Sequence, residues 1–332
     1  MTRSHRFSSA PHPPLSSFWR LVPTCMGIFF LAMLLRNAPL AAESMSRGLR
    51  LCVTAVIPSL FPFMVISELL VASLSRGNTL CRLLDRPFHF LFGLNGAGGC
   101  ALLLGLLCGF PIGTKCAVSF YRRGAISLGH LTRLLTFCNV PSSAFLISAV
   151  GLSLLGNRQA GLLLYFITLL SALLIGLFGR LLGGSLPHGE SVSPSPLPHR
   201  QGVAVFTGAI SSSALSLLSV CAFVVFFTTL SGAVEHVFCG LGLSGEISAF
   251  LYGLLELTGG SARAATLSFP LSLYFCAFFA GWSGLSVHMQ IMSLCADTGV
   301  SFRPYLLAKV IHGLLNVLLL WTVRGFVALL SG

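Results

Sequence analysis

GAGGCALLLGLLCGFPIGTK, residues 96–115, is the stretch that decides the fold. Its leucines and alanines suit a membrane interior, but its frequent glycines and the Gly-Phe-Pro-Ile-Gly run at 109–113 are poor material for a straight span. Glycine and proline leave backbone N–H and C=O groups that lipid cannot satisfy, so such a segment must be surrounded by protein. The pattern favours a re-entrant hairpin or broken helix, with a fully spanning helix as the alternative.

The composition agrees with a membrane location. Only 8% of the 332 residues are charged, against about 25% in soluble domains, and 55% are hydrophobic. The mean hydropathy of +0.90 excludes an ordinary soluble domain and makes the lipid bilayer the first partner of the chain. The net charge of +12 comes from scattered arginines without a basic stripe, which favours the positive-inside rule over nucleic-acid binding.

The 11 cysteines form no Cys-x-x-Cys pair, and most lie within apolar runs. Cysteine in such surroundings behaves as a small hydrophobic residue. We therefore expect reduced thiols, no bound metal and no cofactor, with coupling to Na⁺ or protons left open.

Composition shifts along the chain divide it into six regions. The predicted regions are a disordered cytoplasmic tail (1–17), N-terminal transmembrane helices with an interfacial helix at 80–92 (18–92), a first repeat (96–182), a linker (183–201), connecting helices (202–234) and a second repeat (245–330). Within the connecting region, 203–213 is expected at the surface and 214–234 to span the membrane.

The two repeats share one order: a short glycine-rich apolar segment, a span broken by polar residues, and a clean span. Gly109 precedes Asn139 by 30 residues, and Glu256 precedes Ser283 by 27. A cytoplasmic N-terminus gives thirteen Lys and Arg inside and six outside, with Lys115 uncounted and an outer loop at 36–50. The resulting fold class is an all-α polytopic membrane protein with an inverted repeat of re-entrant hairpin, broken transmembrane helix and transmembrane helix.

Polar groups inside a span are costly unless they pair or line a cavity, so they mark candidate substrate-binding residues. In the first repeat, the hairpin tip can offer free backbone groups, and an amide with two hydroxyls interrupts the following span. The alternatives are a tight turn that only packs and an interhelical hydrogen bond. The candidates are Gly109, Pro111, Gly113, Thr114, Asn139, Ser142 and Ser143.

In the second repeat, a carboxylate sits beside a chain break. It can accept hydrogen bonds from sugar hydroxyls, hold Na⁺ or carry a proton, and the alternative is a surface glutamate. A histidine alone is more often structural than a ligand. The candidates are Glu256, Thr258, Gly259, Ser283, Ser286, His288 and Gln290; Glu68, in another broken span, is expected to pair with an arginine.

Motifs of soluble enzymes are missing from the sequence, which has no Gly-x-Ser-x-Gly elbow, His-Glu-x-x-His helix or P-loop. We expect a protein that is not an enzyme.

Six short motifs together resemble a known family. They are SLFPF at 59–63, GFPIGTK at 109–115, FCN at 137–139, LELTG at 255–259, GLSVHMQ at 284–290 and KVIH at 309–312. In this order they resemble the sporulation integral membrane protein YlbJ family over about residues 45–325. The sequence departs from the family pattern after Asn139, where it continues Val-Pro-Ser-Ser, so Ser142 and Ser143 are weaker assignments.

The resemblance implies a nucleoside-recognition (Gate) domain similar to the concentrative nucleoside transporters, with two inverted re-entrant hairpins, each followed by a broken helix. It also implies a role in spore formation in endospore-forming Firmicutes. Two hypotheses follow: a permease for a small polar solute such as a nucleoside, or a non-transporting scaffold or sensor. The expected location is the cell membrane, multi-pass, with a cytoplasmic N-terminus; a homo-oligomer is left open.

Overall fold

The computed structural model describes residues 17–74, 79–184 and 202–331. Nearly all of the predicted tail and linker lies outside these ranges. Within them the regular structure is entirely helical, which confirms the all-α class.

The N-terminal region forms two sharply bent helix pairs. Helix α1 (Ser17–Arg36) meets α2 (Ala38–Leu51) at a bend of 102°, and α2 continues through a π-helical turn at Cys52–Val56 into α3 (Ile57–Leu74). Helix α4 (Thr79–Phe92) follows at 92° to the end of α3 and matches the predicted helix at 80–92.

The stretch at 36–50 was expected as a loop, but most of it is helix α2, and its side of the membrane stays a prediction. Helix α2 packs along α9 (Val203–Gly240), where Gly48 allows a close approach: a Cβ on it would lie 3.0 Å from the Cα of Val225. Helix α9 also corrects the predicted division at 213, since residues 203–240 form one continuous helix. Ser213 is fully buried within it.

The first repeat folds as a helical hairpin, a broken span and a long helix. Helices α5 (Gly96–Cys108) and α6 (Ile112–Arg122) form the hairpin, followed by α7 (Leu128–Leu135), a π-helical segment at Ala144–Leu154 (the π-segment) and α8 (Arg158–Gly183). The hairpin legs touch at two glycines, because a Cβ on Gly105 would lie 2.9 Å from the Cα of Gly113.

The second repeat has the same element order. Helices α10 (Gly245–Leu255) and α11 (Leu257–Ala264) form a hairpin, α12 (Leu271–Trp282) and α13 (Leu285–Leu294) a broken span, and α14 (Arg303–Ser331) the long helix. Its hairpin legs also touch at glycines, since a Cβ on Gly260 would lie 2.2 Å from the Cα of Gly253.

Three described helices are long and apolar enough to cross a membrane, or up to five if each bent pair counts as one span. The three are Arg158–Gly183, Val203–Val234 and Arg303–Arg324. The shorter helices of the hairpins and broken spans pack against neighbouring helices of the fold.

Candidate functional site

The first hairpin tip (109–111) is bonded to the break in the first broken span (136–143). The N–H of Phe110 donates to the carbonyl of Val140 at 2.8 Å, and the Thr114 hydroxyl donates to Oδ1 of Asn139 at 2.7 Å. Asn139 Nδ2 donates in turn to the carbonyl of Leu135, at the end of α7, at 3.1 Å. Side-chain and tip groups therefore replace the helical hydrogen bonds that the break removes.

Glu256 forms the second hairpin tip and is the N-cap of α11. Its Oε1 accepts from the N–H of Thr258 at 2.9 Å, and its Oε2 accepts from the N–H of Gly259 at 2.6 Å. A carboxylate at a helix N-terminus satisfies free donors and interacts favourably with the helix dipole. The residue as a whole is half-buried.

The second break consists of Ser283 and Gly284, whose φ angles of 77° and 84° are left-handed. Glycine adopts this conformation without cost, whereas serine does so rarely. The second tip lies directly against the break, because a Cβ on Gly284 would be 3.0 Å from the backbone nitrogen of Leu257.

A cavity of about 210 Å³ lies where both tips and both broken spans meet. The structure brings six of the predicted residues to its wall: Pro111, Ser142, Glu256, Thr258, Ser286 and Gln290. The remaining lining is apolar. Sequence reasoning missed the residues that the N-terminal helices and α9 contribute, because nothing in the sequence indicates that these separate elements line the same cavity. These residues are Leu51, Val56, Leu60, Val220 and Val224.

Four predicted residues of the first repeat serve the packing around this cavity rather than lining it: Gly109, Gly113, Thr114 and Asn139. A Cβ on Gly109 would lie 2.6 Å from the nitrogen of Ser142, and one on Gly113 would lie 2.6 Å from the carbonyl oxygen of Cys138. Thr114 is fully buried and bonded to Asn139 as above, and neither residue is part of the cavity wall.

The other predicted residues also lie off the wall. Gly259 packs on Tyr252, Ser143 is half-buried, and Ser283 is buried with no hydrogen-bond partner for its hydroxyl among the described residues. His288 Nδ1 bonds to the Tyr305 hydroxyl at 2.7 Å, which is the structural role that the sequence favoured for a lone histidine.

Glu68 forms the arginine pair that was expected. Its carboxylate lies 3.5 Å from the Arg123 guanidinium and accepts a hydrogen bond from the Ser119 hydroxyl at 3.1 Å. The pair links α3 to the end of α6, and therefore fixes the first hairpin to the N-terminal helices.

Helix α14 carries buried polar groups that the sequence did not single out as site residues. Asn316 donates to the carbonyl of Ala277 at 3.0 Å and to the Thr168 hydroxyl at 3.2 Å, joining α14 to α12 and α8. Lys309 donates from Nζ to the carbonyl of Asn139 at 2.9 Å. A lysine within an apolar helix was the available signal.

The long apolar helices and the broken spans define a polytopic, all-helical membrane protein. The chain is similar to the sporulation integral membrane protein YlbJ of Bacillus subtilis (strain 168), at 26% identity over a 347-residue alignment that covers 92% of this chain and 84% of the relative. This confirms the resemblance to YlbJ and supports a membrane location. No family model matches the chain, and no solved structure matches it.

Proposed function

We propose that the protein is a permease of the YlbJ type that moves a small polar solute across the cell membrane during spore formation. One observation carries the proposal: a single cavity is lined by both hairpin tips and by residues of both broken spans. Discontinuous helices that meet around one site are the usual construction of a secondary transporter. The sporulation role rests on the similarity to YlbJ.

We also propose that the repeats are inverted, with the cytoplasmic N-terminus that the basic residues favour. A two-fold rotation that exchanges the repeats exchanges α6 with α11, α13 with the π-segment, and α8 with α14. It converts the contact of α6 with α13 into that of α11 with the π-segment, and both contacts are present. The contact of α12 with α8 likewise matches that of α7 with α14. These pairs support a two-fold relation between the repeats, and the inversion itself rests on the distribution of basic residues.

The lining favours a neutral or cationic solute with an apolar face. Glu256 is the charged residue on the cavity wall, and Thr258, Ser286 and Gln290 add neutral hydrogen-bonding groups. Phe110 and the other apolar lining residues can cover a ring. A nucleoside has this combination of hydroxyls, ring and no phosphate, which is our reason for choosing it as the first solute to test.

Movement of the hairpins would open the cavity alternately to the two sides of the membrane. The volume of about 210 Å³ lies below the roughly 300–1,000 Å³ of drug-sized sites, so a solute of nucleoside size requires the tips to separate. We propose no chemical reaction in this cycle: the protein binds and releases its solute unchanged.

Uptake of radiolabelled nucleosides and nucleobases by proteoliposomes tests the proposal. We expect saturable uptake that falls at least tenfold in Glu256→Gln, because the variant loses the charged hydrogen-bond acceptor on the cavity wall. Glu246→Gln is the matched control. It removes a fully exposed carboxylate at the start of the same hairpin and should leave uptake unchanged.

The small cavity also favours the second candidate, a non-transporting scaffold or sensor. In that case no solute of the panel is bound or moved, and Glu256→Gln supports sporulation as well as the unaltered gene. This pair of results would exclude the permease.

A further inference from the structure

Lys309 is a buried basic residue at the first break. Its side chain is 1% exposed, and its ammonium donates to the backbone carbonyl of Asn139, which is itself 1% exposed. That carbonyl belongs to the non-helical stretch after α7, where carbonyl groups lack helical partners and the helix dipole is negative. The ammonium therefore joins α14 of the second repeat to the broken span of the first.

The ammonium has no carboxylate partner in the part of the chain that the structure describes, whose ion pairs lie elsewhere. Its electrostatic neighbours are Cys138, His288 and His312, and none of these is an acidic side chain that would neutralise it. A buried ammonium without a counter-ion is costly unless dipoles oppose its charge. The freed carbonyl and the end of α7 supply such dipoles.

Freed carbonyls at a broken helix are the groups that bind a coupling cation in many secondary transporters. We propose that Lys309 is the built-in cation of this site: its ammonium takes the place of a free Na⁺ at the first break and positions Asn139 and the tip. Solute movement then needs no Na⁺. The statement about movement rests on the proposed permease, whereas the cation role of Lys309 does not.

Thermal unfolding of the purified protein in detergent tests the cation role without any solute. Lys309→Ala should lower the Tm by several degrees, and Na⁺ or methylammonium at about 100 mM should restore most of the loss in a saturable manner. Choline chloride at equal ionic strength should restore nothing, because its head group is too large for the vacated site. Lys309→Arg, which keeps a cation, should retain most of the stability.

Asn316→Ala is the control for a purely structural loss. It removes an equally buried hydrogen-bonding group from the same helix, without a change of charge, so its lower Tm should not respond to Na⁺ or methylammonium. Equal responses of Lys309→Ala to Na⁺ and choline would overturn the proposal.

A second measurement covers the case in which Lys309→Ala does not fold. The unaltered protein should show the same Tm in NaCl and in choline chloride, and it should bind no ²²Na⁺. Saturable Na⁺ binding or a Na⁺-specific rise in Tm would show that a free cation occupies the break and would refute the role of Lys309. If no solute is taken up, but the Na⁺ binding and Tm results are as expected, the permease proposal fails and the cation role of Lys309 stands.

Discussion

Replacement of Asn139 by alanine measures how much this one side chain at the first break contributes to the free energy of unfolding. Asn139 accepts from Thr114 at 2.7 Å and donates to the carbonyl of Leu135 at 3.1 Å, and all three residues are at most 1% exposed. Asn139→Ala leaves two buried polar groups without these partners, each worth about 1–3 kcal/mol. The Thr114 hydroxyl can turn to a carbonyl of its own helix, so we expect a total loss of about 2–4 kcal/mol.

A double-mutant cycle with Thr114→Val separates the shared hydrogen bond from other effects. Interhelical hydrogen bonds in membrane proteins average about 0.6 kcal/mol, with values up to about 1.7. If the two single losses were additive, the double variant would lose their sum. We expect it to lose about 1 kcal/mol less than that sum, because both substitutions break the same hydrogen bond. Reversible unfolding in mixed micelles, followed by circular dichroism, gives these free energies.

Asn157→Ala is the matched control for this cycle. Asn157 is an exposed N-cap of α8, so its loss should cost about 1 kcal/mol and show no coupling to Thr114→Val. The reasoning fails if Asn139→Ala costs less than 1 kcal/mol, or if it couples to Thr114→Val no more than Asn157→Ala does.

Two further substitutions test the hairpins. Gly260→Ala places a Cβ 2.2 Å from the Cα of Gly253 and should cost about 3 kcal/mol of unfolding free energy, because it forces the hairpin legs apart. Gly245→Ala is the control: its Cβ meets its nearest atom at 3.9 Å, so the variant should be neutral in the same unfolding assay. Arg123→Ala should cost only about 1 kcal/mol, since Glu68 keeps its bond to a neighbouring hydroxyl; a loss above 3 kcal/mol would show that the ion pair is the main anchor of the hairpin.

The sequence predicted the hairpins and breaks because their signals are local. Glycine and proline at 109–113, and the polar run at 139–143, interrupt apolar segments that would otherwise continue as helices. The structure breaks its helices at these places, and the first tip is bonded to the first break. Because the same signals recur at 256–260 and 283–284, the element order of the second repeat was also predictable.

Helices α2 and α9 show what local signals cannot reveal. Ala38–Leu51 carries Glu43, Arg47 and Arg50, so its composition resembles a loop between two spans. The helix packs along α9, and Gly48 permits this contact because it lies against Val225. The role of this glycine cannot be inferred from the sequence without knowing that contact. The same long-range packing explains the apolar side of the cavity, which the sequence left unassigned.

The position of Glu256 shows why an intramembrane carboxylate should not be interpreted from its charge alone. Both of its oxygens accept backbone N–H groups of α11, so the residue forms the second tip whether or not a solute is bound. Asn139 and Lys309 do the same work at the first break, with an amide and an ammonium bonded to its freed groups. The second tip is thus stabilised by a carboxylate and the first break by an amide and a lysine side chain, and of these groups Glu256 is the one that also lines the cavity. Loss of Glu256 must therefore be compared in both stability and uptake, because only a fall in uptake beyond the loss of folded protein assigns it to the solute.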